Sequence, residues 1–165
     1  DGAWKIAQYS LSVPIPNDIM KGVAREARVF NQSAADDLAK EERPKPRTVY
    51  LVRHAEKQQD SGDEDPALTP AGEARASLLS SMIPAADLDL VVCSEFKRTR
   101  QTAQPSAAKA GQDVVTHPAA DPNGLARRLW RLPPGHCTLV AGHSNTVGPI
   151  LGALGIKDEI TITKS

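Results

Sequence analysis

The chain carries no excess charge of either sign, no long apolar run and few cysteines, and each lack is informative. Its 20 basic and 20 acidic residues cancel, so no overall field draws it to nucleic acid or to an anionic membrane. Any anion site must be local. No apolar stretch approaches the ~20 residues that span a bilayer, and the N-terminus lacks the charged and apolar regions of a signal peptide. The first residue is Asp1, which points to processing, trimming or a fragment. The expected location is the cytoplasm, with a removed export signal as the alternative. Cys93 and Cys137 show neither CxxC nor metal-ligand spacing, so they are expected to be reduced core thiols. The four histidines have no ligand spacing either, and no structural zinc or other cofactor is expected. The acidic stretch over residues 60–65 lacks the full calcium-loop pattern. It reads as a solvated turn that could border a substrate entrance with Lys57 and Gln58.

What is present fits one ordinary domain with an appendage: 165 residues, 40% of them hydrophobic, are enough for a globular core. Residues 1–40 read as an N-terminal extension. Trp4, Ile6, Tyr9, Leu11 and Val13 nearly alternate, as in a strand with a bulge, and a polar helical pattern follows over 18–38. Residues 41–47 are charged and Pro-rich, the composition of a linker. The domain proper is expected over 48–165.

Within it, strand-like and helix-like segments alternate. Strands are expected over 48–52, 88–93, 113–116 (an edge) and 137–141. Helices are expected over 70–82, 96–110, 122–132 and 145–154. Thr69 and Asp121 serve as N-caps with Pro70 and Pro122 at the first helical position, and Gly111 closes the second helix. Ala74, Leu78 and Leu79 form the apolar spacing of the first helix, and Pro105 should kink the second. Near-continuous apolar strands alternating with helices imply an α/β fold with a mostly parallel sheet covered on both faces. The sequence ends in a strand-like stretch over 159–165, which suggests truncation before a closing strand.

In such folds chemistry gathers beyond the carboxyl ends of the strands. The three strongest strands end in Arg53-His54, in Ser94-Glu95-Phe96-Lys97-Arg98, and in Gly142-His143-Ser144-Asn145. Arginine offers a phosphoryl group a planar fork of permanent positive charge, which suits Arg53 and Arg98. A neutral imidazole, with a reference pKa of about 6.5, is nucleophilic near pH 7. His54 is the candidate nucleophile, and His143 a second phosphate ligand that steadies the transferring group. Each has an ordinary alternative: His54 as a satisfied core histidine, Arg98 as part of a solvated basic helix start, His143 as a helix cap. His117 and His136 read as surface or edge residues without partners.

The motifs Leu51-Val52-Arg53-His54-Ala55-Glu56, Leu68-Thr69-Pro70-Ala71-Gly72, Ser94-Glu95-Phe96-Lys97-Arg98-Thr99-Arg100-Gln101-Thr102-Ala103 and Ala141-Gly142-His143-Ser144-Asn145-Thr146 resemble the histidine phosphatase superfamily. That superfamily is also called phosphoglycerate mutase-like, and the closer likeness is to its small SixA-like branch. The resemblance implies a three-layer α/β/α sandwich and metal-independent phosphoryl transfer through a phosphohistidine. It gives His54 the nucleophile's role, Arg53, Arg98 and His143 phosphate binding, and Ser94 the shaping of the second arginine's loop. Ala55 stands where many members have Gly. Ser144 after His143 removes one of the family's usual acids, so Asp121 is the candidate general acid, with helix capping as its ordinary explanation. The expected activity is a phosphatase acting on a phosphorylated small molecule or phosphoprotein, whether phosphomonoester, phosphoanhydride or phosphohistidine. A non-catalytic phosphate- or phosphopeptide-binding module and a phosphomutase are the alternatives. Residues 1–30 more faintly resemble the end of a SnoaL-like domain.

Overall fold

The computed structural model describes residues 10–12, 45–59 and 62–156. The helical pattern over 18–38, the SnoaL-like resemblance and the strand-like stretch over 159–165 lie outside the described residues, apart from one short strand. The described strands are β1 (Ser10–Ser12), β2 (Thr48–Arg53), β3 (Leu88–Cys93), β4 (Val114–Thr116) and β5 (Cys137–Gly142). The helices are α1 (Pro70–Met82), α2 (Lys97–Ala110), α3 (Pro122–Trp130) and α4 (Ser144–Ala153). They form one sheet in the order β1-β2-β5-β3-β4. Strands β2, β5, β3 and β4 run parallel, and β1 joins the outer edge of β2 antiparallel.

Burial follows the pleat. Cys137, Leu139 and Ala141 of β5 face one way with Val91 and Cys93 of β3, against Ala103 and Ala107 of α2 and Ile83 after α1. Val140 and Val92 face the other way with Leu51, against Leu125 and Leu129 of α3 and Val147, Ile150 and Leu151 of α4. Two apolar cores on opposite faces of one sheet make the α/β/α sandwich. Leu88 breaks the alternation by joining the first core, and the cause is a register shift between Leu88 and Leu90. At that shift the Asp89 carboxylate accepts from the Cys137 N–H at 2.9 Å. Both cysteines are free and buried, and burial pushes the Cys137 thiol up to about 11.

Helix ends follow the sequence closely. Thr69 Oγ1 accepts from Gly72 N–H at 3.1 Å, and Gly111 closes α2 in the left-handed region at φ 66°. Helix α2 is assigned without a break across Pro105. One expectation fails: Ala74 and Leu78 do not face the core, and Leu78 is 49% exposed. The packed side of α1 is Gly72 and Ala76 against the chain after β2 and Leu79 against the first core.

Candidate active site

Parallel register carries three strand ends to one place. Arg53 lies opposite Gly142 and Cys93 opposite Ala141. The His54 N–H donates to Gly142 O at 2.9 Å, and the Ser94 N–H to Ala141 O at 3.3 Å. Both chains therefore leave the sheet beside His143, and the His54 and His143 rings meet edge-on with centroids 5.4 Å apart.

The backbone chooses the tautomer of His54. Its Nδ1 is 2.7 Å from Ala55 O, and a carbonyl can only accept, so Nδ1 carries the hydrogen and Nε2 keeps a lone pair. Burial lowers its pKa, with the charges of Arg53, Arg98 and Lys57 in the same direction and the Ala55 carbonyl opposing. The ring is therefore neutral at pH 7.

His143 is 7% exposed and N-caps α4, its own N–H donating to Thr146 Oγ1 at 2.8 Å. Its Nε2 lies 2.8 Å from Ser94 Oγ. Burial first, then the charges of Arg98 and His54, bring its pKa down to about 4, against an opposing pull from Glu95. Both helix capping and convergence on His54 hold at once.

Arg98 stands in the first turn of α2, its guanidinium carbon 4.3 Å from the centre of the Phe96 ring. Phe96 in turn meets the His143 ring edge-on at 5.1 Å. Arg98 Nη1 is 3.4 Å from Asp65 Oδ1, and its Nε is buried with no hydrogen-bond partner among the described residues. A phosphoryl oxygen would satisfy such a donor. Arg53 at the end of β2 contributes charge that lowers both histidines' pKa values.

Asp121 caps α3, its Oδ1 accepting from Gly124 N–H at 2.7 Å. A Cβ on Gly124 would lie 1.8 Å from the other carboxylate oxygen, so a side chain there would displace the capping carboxylate. The same carboxylate is 3.8 Å from His117 Nε2, which bonds Asp121 O at 2.8 Å. His117 is thus not the partnerless residue expected. Asp121 shares a small crevice with Ser94, His117 and Gly142. His136 is half-buried near the start of β5, and its Nδ1 is buried without a partner among the described residues.

Three supporting residues receive no role from the sequence, although Thr99 and Thr102 lie within the motif that begins at Ser94. Thr102 Oγ1 accepts from Ala55 N–H at 2.9 Å and donates to Arg98 O at 2.7 Å, tying the turn after His54 to α2. Thr99 backs Ser94 at 2.8 Å. Asp65, expected in a solvated turn, accepts from the Lys97 N–H through both carboxylate oxygens at 3.0 Å. It fills the capping role that the Phe96 side chain cannot. Among the described residues no group of His, Cys, Asp and Glu could hold a metal.

With the fold and the strand ends in place, the family model of the histidine phosphatase superfamily, branch 1, matches residues 49–121. The probable phosphoglycerate mutase GpmB of Yersinia enterocolitica is 36% identical over 75 residues, which are 42% of this chain and 35% of that protein. The chain thus spans about a third of the length of the curated relatives it matches. Among solved structures, one assigned as the phosphohistidine phosphatase SixA from Agrobacterium tumefaciens is 27% identical, with a TM-score of 0.53 over 67% of this chain and 77% of that one. A mycobacterial glucosyl-3-phosphoglycerate phosphatase shares the fold, with a TM-score of 0.55 at 15% identity over 63% of this chain and 77% of its own.

Proposed function

We propose that residues 48–165 form a metal-independent phosphatase domain that works through a phosphohistidine on His54. The observation that carries this is the Ala55 carbonyl 2.7 Å from His54 Nδ1, which leaves Nε2 as a lone pair beside His143 and two arginines. Nε2 attacks phosphorus and the bond to the leaving group breaks. Arg53, Arg98 and His143 hold the equatorial oxygens as charge moves onto the departing atom. Water then attacks the phosphohistidine, its proton passes to the carboxylate that protonated the leaving group, and inorganic phosphate departs with the neutral imidazole restored. Asp121 is the proton donor to the leaving group in this proposal. The substrate is a phosphomonoester, phosphoanhydride or phosphohistidine, on a small molecule or a protein. That choice draws support from the likeness to phosphatases and a phosphohistidine phosphatase. No helix among the described residues is long and apolar enough to cross a membrane.

A second proposal, phosphomutase, is favoured by the names of the curated relatives. The two part at the product: a phosphatase releases inorganic phosphate, and a mutase returns the group to the substrate. Incubation with radiolabelled substrate should give an acid-labile phosphoenzyme in the wild type and none in His54→Ala. Equal labelling of the variant would refute the mechanism, and activity lost in EDTA would refute its metal independence. A protein that binds vanadate but hydrolyses neither p-nitrophenyl phosphate nor phosphohistidine would be a binding module instead.

A further inference from the structure

Behind His143 lies a run of hydroxyls whose direction can be worked out. Thr99 Oγ1 is 2.8 Å from Phe96 O and 3.2 Å from Ser94 O. Carbonyls only accept, so the single Thr99 hydroxyl hydrogen is committed to them. Thr99 Oγ1 is also 2.8 Å from Ser94 Oγ and must therefore accept there, which commits the Ser94 hydrogen to Thr99. Ser94 Oγ in turn is 2.8 Å from His143 Nε2, and with its hydrogen spent it can only accept. Ser94 and Thr99 are 5% and 0% exposed, so water cannot easily substitute for either member.

From this we infer that Ser94 and Thr99 are positioning residues which fix His143 as the Nε2–H tautomer, opposite to the Nδ1–H tautomer that Ala55 imposes on His54. The two imidazoles meet edge-on with centroids 5.4 Å apart, their hydrogens assigned by different devices, a carbonyl for one and a one-way hydroxyl chain for the other. During phosphoryl transfer His54 Nε2 forms the bond to phosphorus, while His143 Nδ1, unprotonated in the resting protein, accepts the O–H of a phosphate monoanion and so holds that oxygen through the substrate's own proton. The functional consequence rests on the proposed role of His143 in phosphoryl binding. The tautomer itself is a property of the resting protein.

The test is nitrogen-15 NMR of the full chain labelled in its histidine rings, near pH 7, with His54→Ala and His143→Gln used to assign the signals. The wild type should give one histidine protonated on Nδ1, assigned to His54, and His143 protonated on Nε2. Thr99→Val removes the last hydroxyl without touching either ring. It frees the Ser94 hydrogen to turn toward Nε2, so the His143 signal should move to the Nδ1–H form or a mixture. With it, kcat/KM for p-nitrophenyl phosphate should fall about tenfold, the worth of one hydrogen bond, and Thr99→Ser should restore both. An Nδ1–H His143 in the wild type overturns the inference, whether or not the variants fold. So does an unchanged His143 signal in folded Thr99→Val. A correct tautomer pattern in a protein without turnover would leave this inference standing and remove the phosphatase proposal alone.

Discussion

At the scale of single residues, the open chemistry is the proton for the leaving group. Asp121 sits on the wall of a crevice it shares with Ser94, but one carboxylate oxygen already accepts from Gly124 N–H. Capping and acid catalysis can be separated because Asn caps a helix about as well as Asp yet cannot supply the proton. Asp121→Asn should keep the wild-type melting temperature. If Asp121 is the acid, turnover of an alkyl phosphate, whose alkoxide needs protonation, should drop by roughly 100-fold or more, while p-nitrophenyl phosphate, with its good leaving group, should lose much less. Steady-state kinetics on the two substrates read the difference, and unchanged alkyl phosphate hydrolysis would reduce Asp121 to a cap.

At the scale of elements, α1 shows why part of the site was legible in the sequence and part was not. The strand ends could be read directly, since an apolar run stopping at Arg53-His54 or Gly142-His143 marks both a buried strand and its carboxyl terminus. The supports could not. Thr102 meets Ala55, 47 positions away, and Asp65 meets Lys97, 32 away, and no local period encodes such contacts. The packed side of α1 was half legible for a related reason: Leu79 faces the core as its spacing predicts, whereas Gly72 and Ala76 are small and carry little hydrophobic signal, and Leu78 and Met82 remain exposed at 49% and 40%. Gly72 is there for closeness, because a Cβ on it would lie 2.3 Å from Glu56 O. Beside it Ala76 packs with Ala55 and Leu68. Gly72→Ala must push the 54–56 turn away from α1. The expected cost is ~1–3 kcal/mol of overpacking, read by urea denaturation, with a parallel loss of activity because His54 rides on that turn. A variant as stable and active as wild type would mean the contact yields freely.

At the scale of the whole molecule, the site sets how the fold responds to acid. Burial disfavours charge on His54 and His143, and the charges of Arg53 and Arg98 add to it. In the folded state His143 titrates at about 4, whereas in the unfolded chain its pKa is near the reference of about 6.5. Between these values the unfolded state binds more protons, so stability rises with pH across the window. The contribution is complete above about 6.5 and is lost as pH falls toward 4. The lowered pKa of His54 acts in the same direction. His143→Gln removes one titrating group while keeping a side chain that can bond Ser94. Urea midpoints measured at pH 7, 5.5 and 4.5 should therefore fall more steeply in the wild type than in the variant. Parallel slopes would mean that His143 is not held neutral in the folded protein. The cations that converge to receive a phosphoryl group would then leave no mark on the pH response of the empty fold.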